Sequence, residues 1–170
     1  MSKARSVTNM AMLFSLALVL SILEGMLPPL PYLPPGFKLG LSNVATMYAL
    51  FFMGKGQAFT IAVLKSAFVF FTRGAVSGAL SLSGGFASLL AMIVVAALFK
   101  DRVSYLMLSV CGAVCHNFGQ LAVVSLIMYN GYALWYSPVL LVAGVVMGCV
   151  TGTVLKAVMP AFKRISGGFR

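Results

Sequence analysis

The chain alternates long apolar runs with short polar or proline-bearing breaks. Nowhere does it show the sustained apolar–polar alternation of a half-buried strand, so the pattern favours helices. Six runs stand out, and each predicts a helix: about 8–26, 41–53, 57–71, 81–99, 104–128 and 138–159. A membrane crossing takes roughly 20 apolar residues, and fewer where a helix is partly covered by protein. The second and third runs are short by that measure. The breaks have readable causes. Residues 28–40 hold five prolines and cannot continue a helix. Gly54-Lys55-Gly56 reads as a tight turn, and Lys100-Asp101-Arg102 as a charged break. Thr72 to Leu80, which carries glycines, reads as irregular. Tyr129 to Ser137 reads as an aromatic turn. The expectation is one integral membrane domain over residues 1–170, a six-transmembrane-helix all-α bundle without soluble linkers or internal repeats. The apolar stretch behind Lys3 and Arg5 could open a signal peptide. Glu24 and prolines follow it instead of a small-x-small cleavage site, so it reads as a retained helix.

Composition agrees. Of 170 residues, 61% are hydrophobic and 8% charged. Soluble domains are about 25% charged, so this chain lacks the polar surface a soluble fold would need. In lipid the backbone must satisfy itself within helices or a closed barrel, and a barrel would show alternating segments of about ten residues. Charge predicts the orientation. In a six-crossing arrangement, Lys3, Arg5, Lys55, Lys100, Arg102, Lys156, Lys163, Arg164 and Arg170 fall on one side. Lys38 and Arg73 fall on the other, and Lys65 lies within a helix. Nine against two places both termini in the cytoplasm of a bacterial-type inner (plasma) membrane. The net charge of +10 is then a membrane-topology signature and needs no nucleic acid. Trp135, Tyr129, Tyr132 and Tyr136 suit the opposite interface.

The chemistry for catalysis is scarce. Glu24 and Asp101 are the only acids, and His116 is the only histidine. There is no phosphate-binding loop for nucleotide hydrolysis. There is no carboxylate pair for Mg²⁺ or for acid–base work, and no aspartate-rich cluster of the kind that binds prenyl diphosphates. Cys111, Cys115 and His116 could share a helix face, but cysteine serves readily as a small buried hydrophobe. The expectation is a non-enzyme without cofactor or metal.

Ionisable groups at membrane depth are expensive and usually functional. Glu24 stands near the outer end of the first helix, Lys65 in the middle of the third, and Lys38 and Arg73 in the outer breaks. With Asn43 at the start of the second helix, they could ring an outward cavity with excess positive charge. Alternatively, Glu24 and Lys65 form an ion pair that joins helices. His116 and Gln120 lie four apart on one helix face, with Asn117 beside them; they serve either as a pocket wall or as interhelical glue. Gly144, Gly148 and Gly152 recur every four residues and allow close backbone approach, within the chain in preference to between copies. Ala11, Ser15 and Ala17 form a small-residue patch on the first helix.

Several of these stretches together resemble a known family. Lys38-Leu-Gly-Leu-Ser-Asn43 follows the proline-rich break. Ser81-Leu-Ser-Gly-Gly85 comes next with Ser88 and Met92, then Gly112-Ala-Val-Cys-His-Asn117 with Gly119-Gln120. Over about residues 8–158 the chain resembles the Gx transporter family, often labelled heptaprenyl diphosphate synthase component I. That family is similar to the substrate-binding S components of energy-coupling factor (ECF) vitamin transporters. The resemblance implies a six-helix S-component fold and capture of a vitamin-like or cofactor-precursor molecule, flavin-like or an isoprenoid or quinone precursor. It implies partners, a T component and two ATPases, with Ala11 and Ser15 meeting the T component. With the polar groups read above, it gives a site drawn from Glu24, Lys38, Asn43, Lys65, Ser83, His116, Asn117 and Gln120, and it implies that the loop after the first helix closes that site. The family label leaves an alternative, a membrane accessory subunit of prenyl diphosphate synthesis.

Overall fold

The computed structural model describes residues 3–26, 40–100, 103–128 and 135–165. Lys38, Asp101, Arg102, Tyr129, Tyr132 and the proline-rich stretch lie outside them. Among the described residues there are six helices and no strand: α1 Lys3–Met26, α2 Asn43–Phe52, α3 Lys55–Arg73, α4 Ala75–Phe99, α5 Tyr105–Met128 and α6 Ser137–Ile165. Four of them, α1, α4, α5 and α6, are long and apolar enough to cross a membrane. The chain is an integral membrane protein. Large apolar side chains such as Phe71, Leu90, Leu98, Leu126 and Val142 face outward, as lipid requires.

Two sequence expectations are corrected. Gly54-Lys55-Gly56 is not a three-residue turn: the break lies at Gly54, with φ 106°, and Lys55 and Gly56 already belong to α3. Thr72 to Leu80 is not an irregular segment. The chain breaks only at Gly74, whose φ of 88° is the left-handed conformation that glycine adopts without steric cost. Helix α4 therefore begins at Ala75, and the Ser83-Gly84-Gly85 element lies within it, not at its start. Gly78 is helical and lets α4 lie against α3: a methyl group there would be 2.8 Å from Phe70 Cα.

Successive helices run antiparallel, and their facing residues show it. Gly112 of α5 meets Met92 of α4, while Gly119 meets Ser83. Gly144 of α6 meets Val114 of α5, Gly148 meets Val110 and Gly152 meets Leu106. The glycine-spaced face of α6 is thus consumed within the chain, against α5. Lipid tails are as apolar as leucine, so membrane helices associate through close packing, and small residues supply it. The longest shared faces are α4 with α5 and α5 with α6, followed by α3 with α4. Helix α2 is short and sits against α3 and α1, with a narrower contact to α6 and α4. The apolar core gathers Leu13 and Ala17 of α1 with Met47 of α2, Ile61 of α3, Met92 of α4 and Leu108 of α5.

This packing predicts a contrast between two glycines. In Gly148→Ala the new methyl would lie 2.5 Å from Val110 Cα, a backbone atom that cannot rotate away. Such overpacking costs about 1–3 kcal/mol. Gly56→Ala meets nothing within 4 Å, and alanine is the better helix former. Thermal unfolding in detergent should show a clear drop for the first and no loss for the second. Equal stabilities would show that the α5–α6 approach is looser than described.

Candidate functional site

Four residues, Gly40 to Asn43, lead from the proline-rich stretch into α2, and two buried charges hold them. The backbone N–H of Gly40 donates to Oε1 of Glu24, near the end of α1. The Lys65 ammonium, from the middle of α3, donates to Asn43 Oδ1 at 2.6 Å and to Ser42 Oγ at 3.1 Å. Lys65 is 1% exposed and Glu24 6%, and the two charges attract one another. Removing an ion from water costs several kcal/mol even after relaxation. The cost is offset here by opposite charge and directed hydrogen bonds. Glu24 from α1 and Lys65 from α3 thus hold the two ends of the segment that begins α2.

His116 is placed by glycines. It is buried between Gly40 and Gly84: a methyl at Gly84 would come within 2.7 Å of its Cε1, and one at Gly40 within 3.3 Å of its Cδ2. Gly40 also has a φ of 87°, so both its conformation and its contact require the missing side chain. Gln120 is fully buried one turn along α5, and its Cγ also faces Gly84. Around these groups, Ser66 of α3 and Ser81 of α4 share a hydrogen bond at 3.4 Å. Glu24, Asn43, Lys65 and His116 thus converge on Gly40–Asn43.

Other expected residues go elsewhere. Asn117 donates its amide to the Leu140 carbonyl of α6 at 2.9 Å, so it fastens α5 to α6. Ser83 is half-buried and donates to Leu80 O of its own helix. Arg73 leaves the cluster: its guanidinium donates to the Ser21 carbonyl of α1 at 2.6 Å and fills the space beside Gly25. Lys38 lies outside the described residues. The excess of positive charge expected around the pocket therefore reduces, among the described residues, to one lysine facing one glutamate. On α1, Ala17 is buried in the core while Ala11 and Ser15 are exposed, and Ser15 bonds to Ala11 O. The small-residue patch splits accordingly, with only its first two members facing outward.

Sequence reasoning missed Ser42, Gly40 and Ser88. The first two sit within the Lys38–Asn43 stretch, so adjacency to Asn43 was a usable signal. Ser88 stands among the residues that carry the family resemblance, but nothing in the sequence marked it as a site residue.

A family model described as heptaprenyl diphosphate synthase component I matches residues 13–158. That span is most of the chain. The chain belongs to this family. The chain is also similar to a solved structure described as the S component of a bacterial ECF transporter, at 22% identity and a TM-score of 0.59, over 98% of each chain. The likeness shows that the chain has the S-component fold. No curated protein sequence matches it.

The Glu24–Lys65 pair makes a quantitative prediction. Lys65→Met would remove the charge opposite Glu24 and the donor to Asn43, and breaking a buried pair in this way costs about 3–5 kcal/mol. The double variant Glu24→Gln/Lys65→Met should lose about 1 kcal/mol or more less than the sum of the single losses. Thermal unfolding of the four proteins measures the cycle, and strictly additive losses would disprove the coupling.

Proposed function

We propose that this protein is the substrate-binding subunit of an ECF-type importer. The observation that carries the reading is the cluster of buried Glu24, Lys65 and His116 with half-buried Asn43 at the junction between the proline-rich stretch and α2. A chain with the S-component fold that buries both an ammonium and a carboxylate at a loop junction has a reason to do so, because such groups are costly in a membrane. In this reading all six helices traverse or enter the inner membrane of a bacterium, with both termini in the cytoplasm, and the cluster faces outward. The proline-rich loop closes over a captured molecule. A T component docks on the face bearing Ala11 and Ser15, and two ATPases drive release. The ligand is vitamin-like or a cofactor precursor, with flavins and isoprenoid or quinone precursors as the classes to try. Balanced charge at Glu24 and Lys65 removes the reason to favour an anion among these.

The family description supports a second reading, a membrane accessory subunit for prenyl diphosphate synthesis. It differs in its partners. Affinity purification from native membranes should recover an ATPase and a T component under the first reading, and a soluble prenyl synthase under the second.

The direct test is thermal stabilisation of the detergent-purified protein against vitamins, flavins and prenyl phosphates. A ligand that binds only the folded state stabilises by about 2.7 kcal/mol at a hundred times its dissociation constant. One compound should raise the unfolding temperature, and the double variant Asn43→Ala/Lys65→Met should abolish that rise. Stabilisation by no compound would remove the importer reading.

A further inference from the structure

Next to the charged cluster lies a small cavity that shares Gly40 and Asn43 with it. Its volume is about 10 Å³, room for roughly one water. Asn43, Met47, Ser88, Met92, Gly112 and Thr151 contribute to its wall, so it lies where α2 faces α4, α5 and α6. Two polar atoms there have no partner among the described residues: Ser88 Oγ, on a residue 1% exposed, and Asn43 Nδ2. Thr151 is already paired with Ser109, at 2.6 Å. A buried hydroxyl left without a partner costs about 1–3 kcal/mol, so an occupant that completes it is favoured. The space exists because residue 112 is glycine: a methyl there would lie 3.1 Å from both Ser88 Oγ and Met92 Sδ. The remaining wall is adaptable, since Met47 and Met92 are unbranched and can rotate aside.

We propose that this slot is the inner end of the ligand site, and that it receives an uncharged hydrogen-bonding group, such as a ring carbonyl or ring N–H. The inference rests on the importer reading and extends it. Asn43 links the two levels: its Oδ1 accepts from Lys65 in the cluster, its Nδ2 lies beside Gly40 without a partner among the described residues, and Asn43 and Gly40 both line the slot. A ligand reaching the slot displaces the thioethers and meets Ser88 and Asn43 together. No charged side chain lines the slot, so a neutral group fits it and an ionised one does not.

The test is cysteine accessibility in membrane vesicles, using the full chain with Cys111, Cys115 and Cys149 replaced by alanine. Ser88→Cys, a near-isosteric change, should react with methyl methanethiosulfonate at least tenfold faster than Leu108→Cys, a fully buried α5 position. Adding Gly112→Ala should slow that reaction, and a compound that stabilises the parent protein should block it. A Ser88→Cys rate equal to that of Leu108→Cys overturns the slot while leaving the importer reading intact. So does a rate that the stabilising compound leaves unchanged. Stabilisation by no panel compound overturns the importer reading, and the proposed ligand with it.

Discussion

An ammonium group in the middle of an apolar bundle must be held by something other than water, and the placement of Lys65 organises much of what surrounds it. Its partners are Ser42 and Asn43, with Glu24 as the opposing charge. Because Glu24 also accepts from Gly40, the two charges grip opposite ends of one four-residue segment. That segment sets where α2 begins and which way it enters the bundle. Arg73 supports the arrangement from outside the cluster. By bonding to the Ser21 carbonyl it fixes the last turn of α1, the turn that carries Glu24. Three of the few ionisable groups thus act on one joint between α1, α2 and α3.

The other half of the molecule is held by a different means. Helices α4, α5 and α6 meet through glycines whose missing side chains let backbones come close, as at Gly119 against Ser83 and Gly148 against Val110. Asn117 adds a hydrogen bond from α5 to α6. Close packing of this kind leaves little room for movement, because a packed interior does not deform gradually. His116 projects from this block and contacts Gly40 at its edge. The charged joint and the glycine-packed block therefore meet along one seam.

The helical architecture was legible in the sequence because lipid tolerates little else, and long apolar runs separated by proline and charge state that constraint directly. The start of α4 was not legible. Gly74 and Gly78 look alike in sequence, yet one breaks the helix and the other is packed inside it. Only the tertiary contact with Phe70 distinguishes them. At the site, Glu24, Asn43, Lys65 and His116 were legible as polar groups at membrane depth. Their roles were not, because a side chain's partner depends on helix rotation. Arg73 and Asn117 carry the same chemical signal as their neighbours and turn instead to the Ser21 and Leu140 carbonyls. Ser88 was hidden for a further reason: serine is ordinary in membrane helices, and what marks this one is a hydroxyl with no partner beside an empty space.

The size of that space constrains how a ligand could enter. A volume near 10 Å³ holds roughly one water and no vitamin, so binding requires a wall to move. The glycine-packed block is little able to yield, since separating α5 from α6 would break backbone-close contacts along three successive glycines. Helix α2 is no looser: Val44 to Ala49 are buried in the core, and it packs on α3 and α1 as well as on α6 and α4. Its own Met47 and Met92 of α4 give the slot a flexible thioether wall. The movable part of the wall is therefore the two thioethers, which rotate without any helices separating. The charges that grip Gly40 to Asn43 stand beside that wall and join α1, α2 and α3 at the junction with the proline-rich stretch.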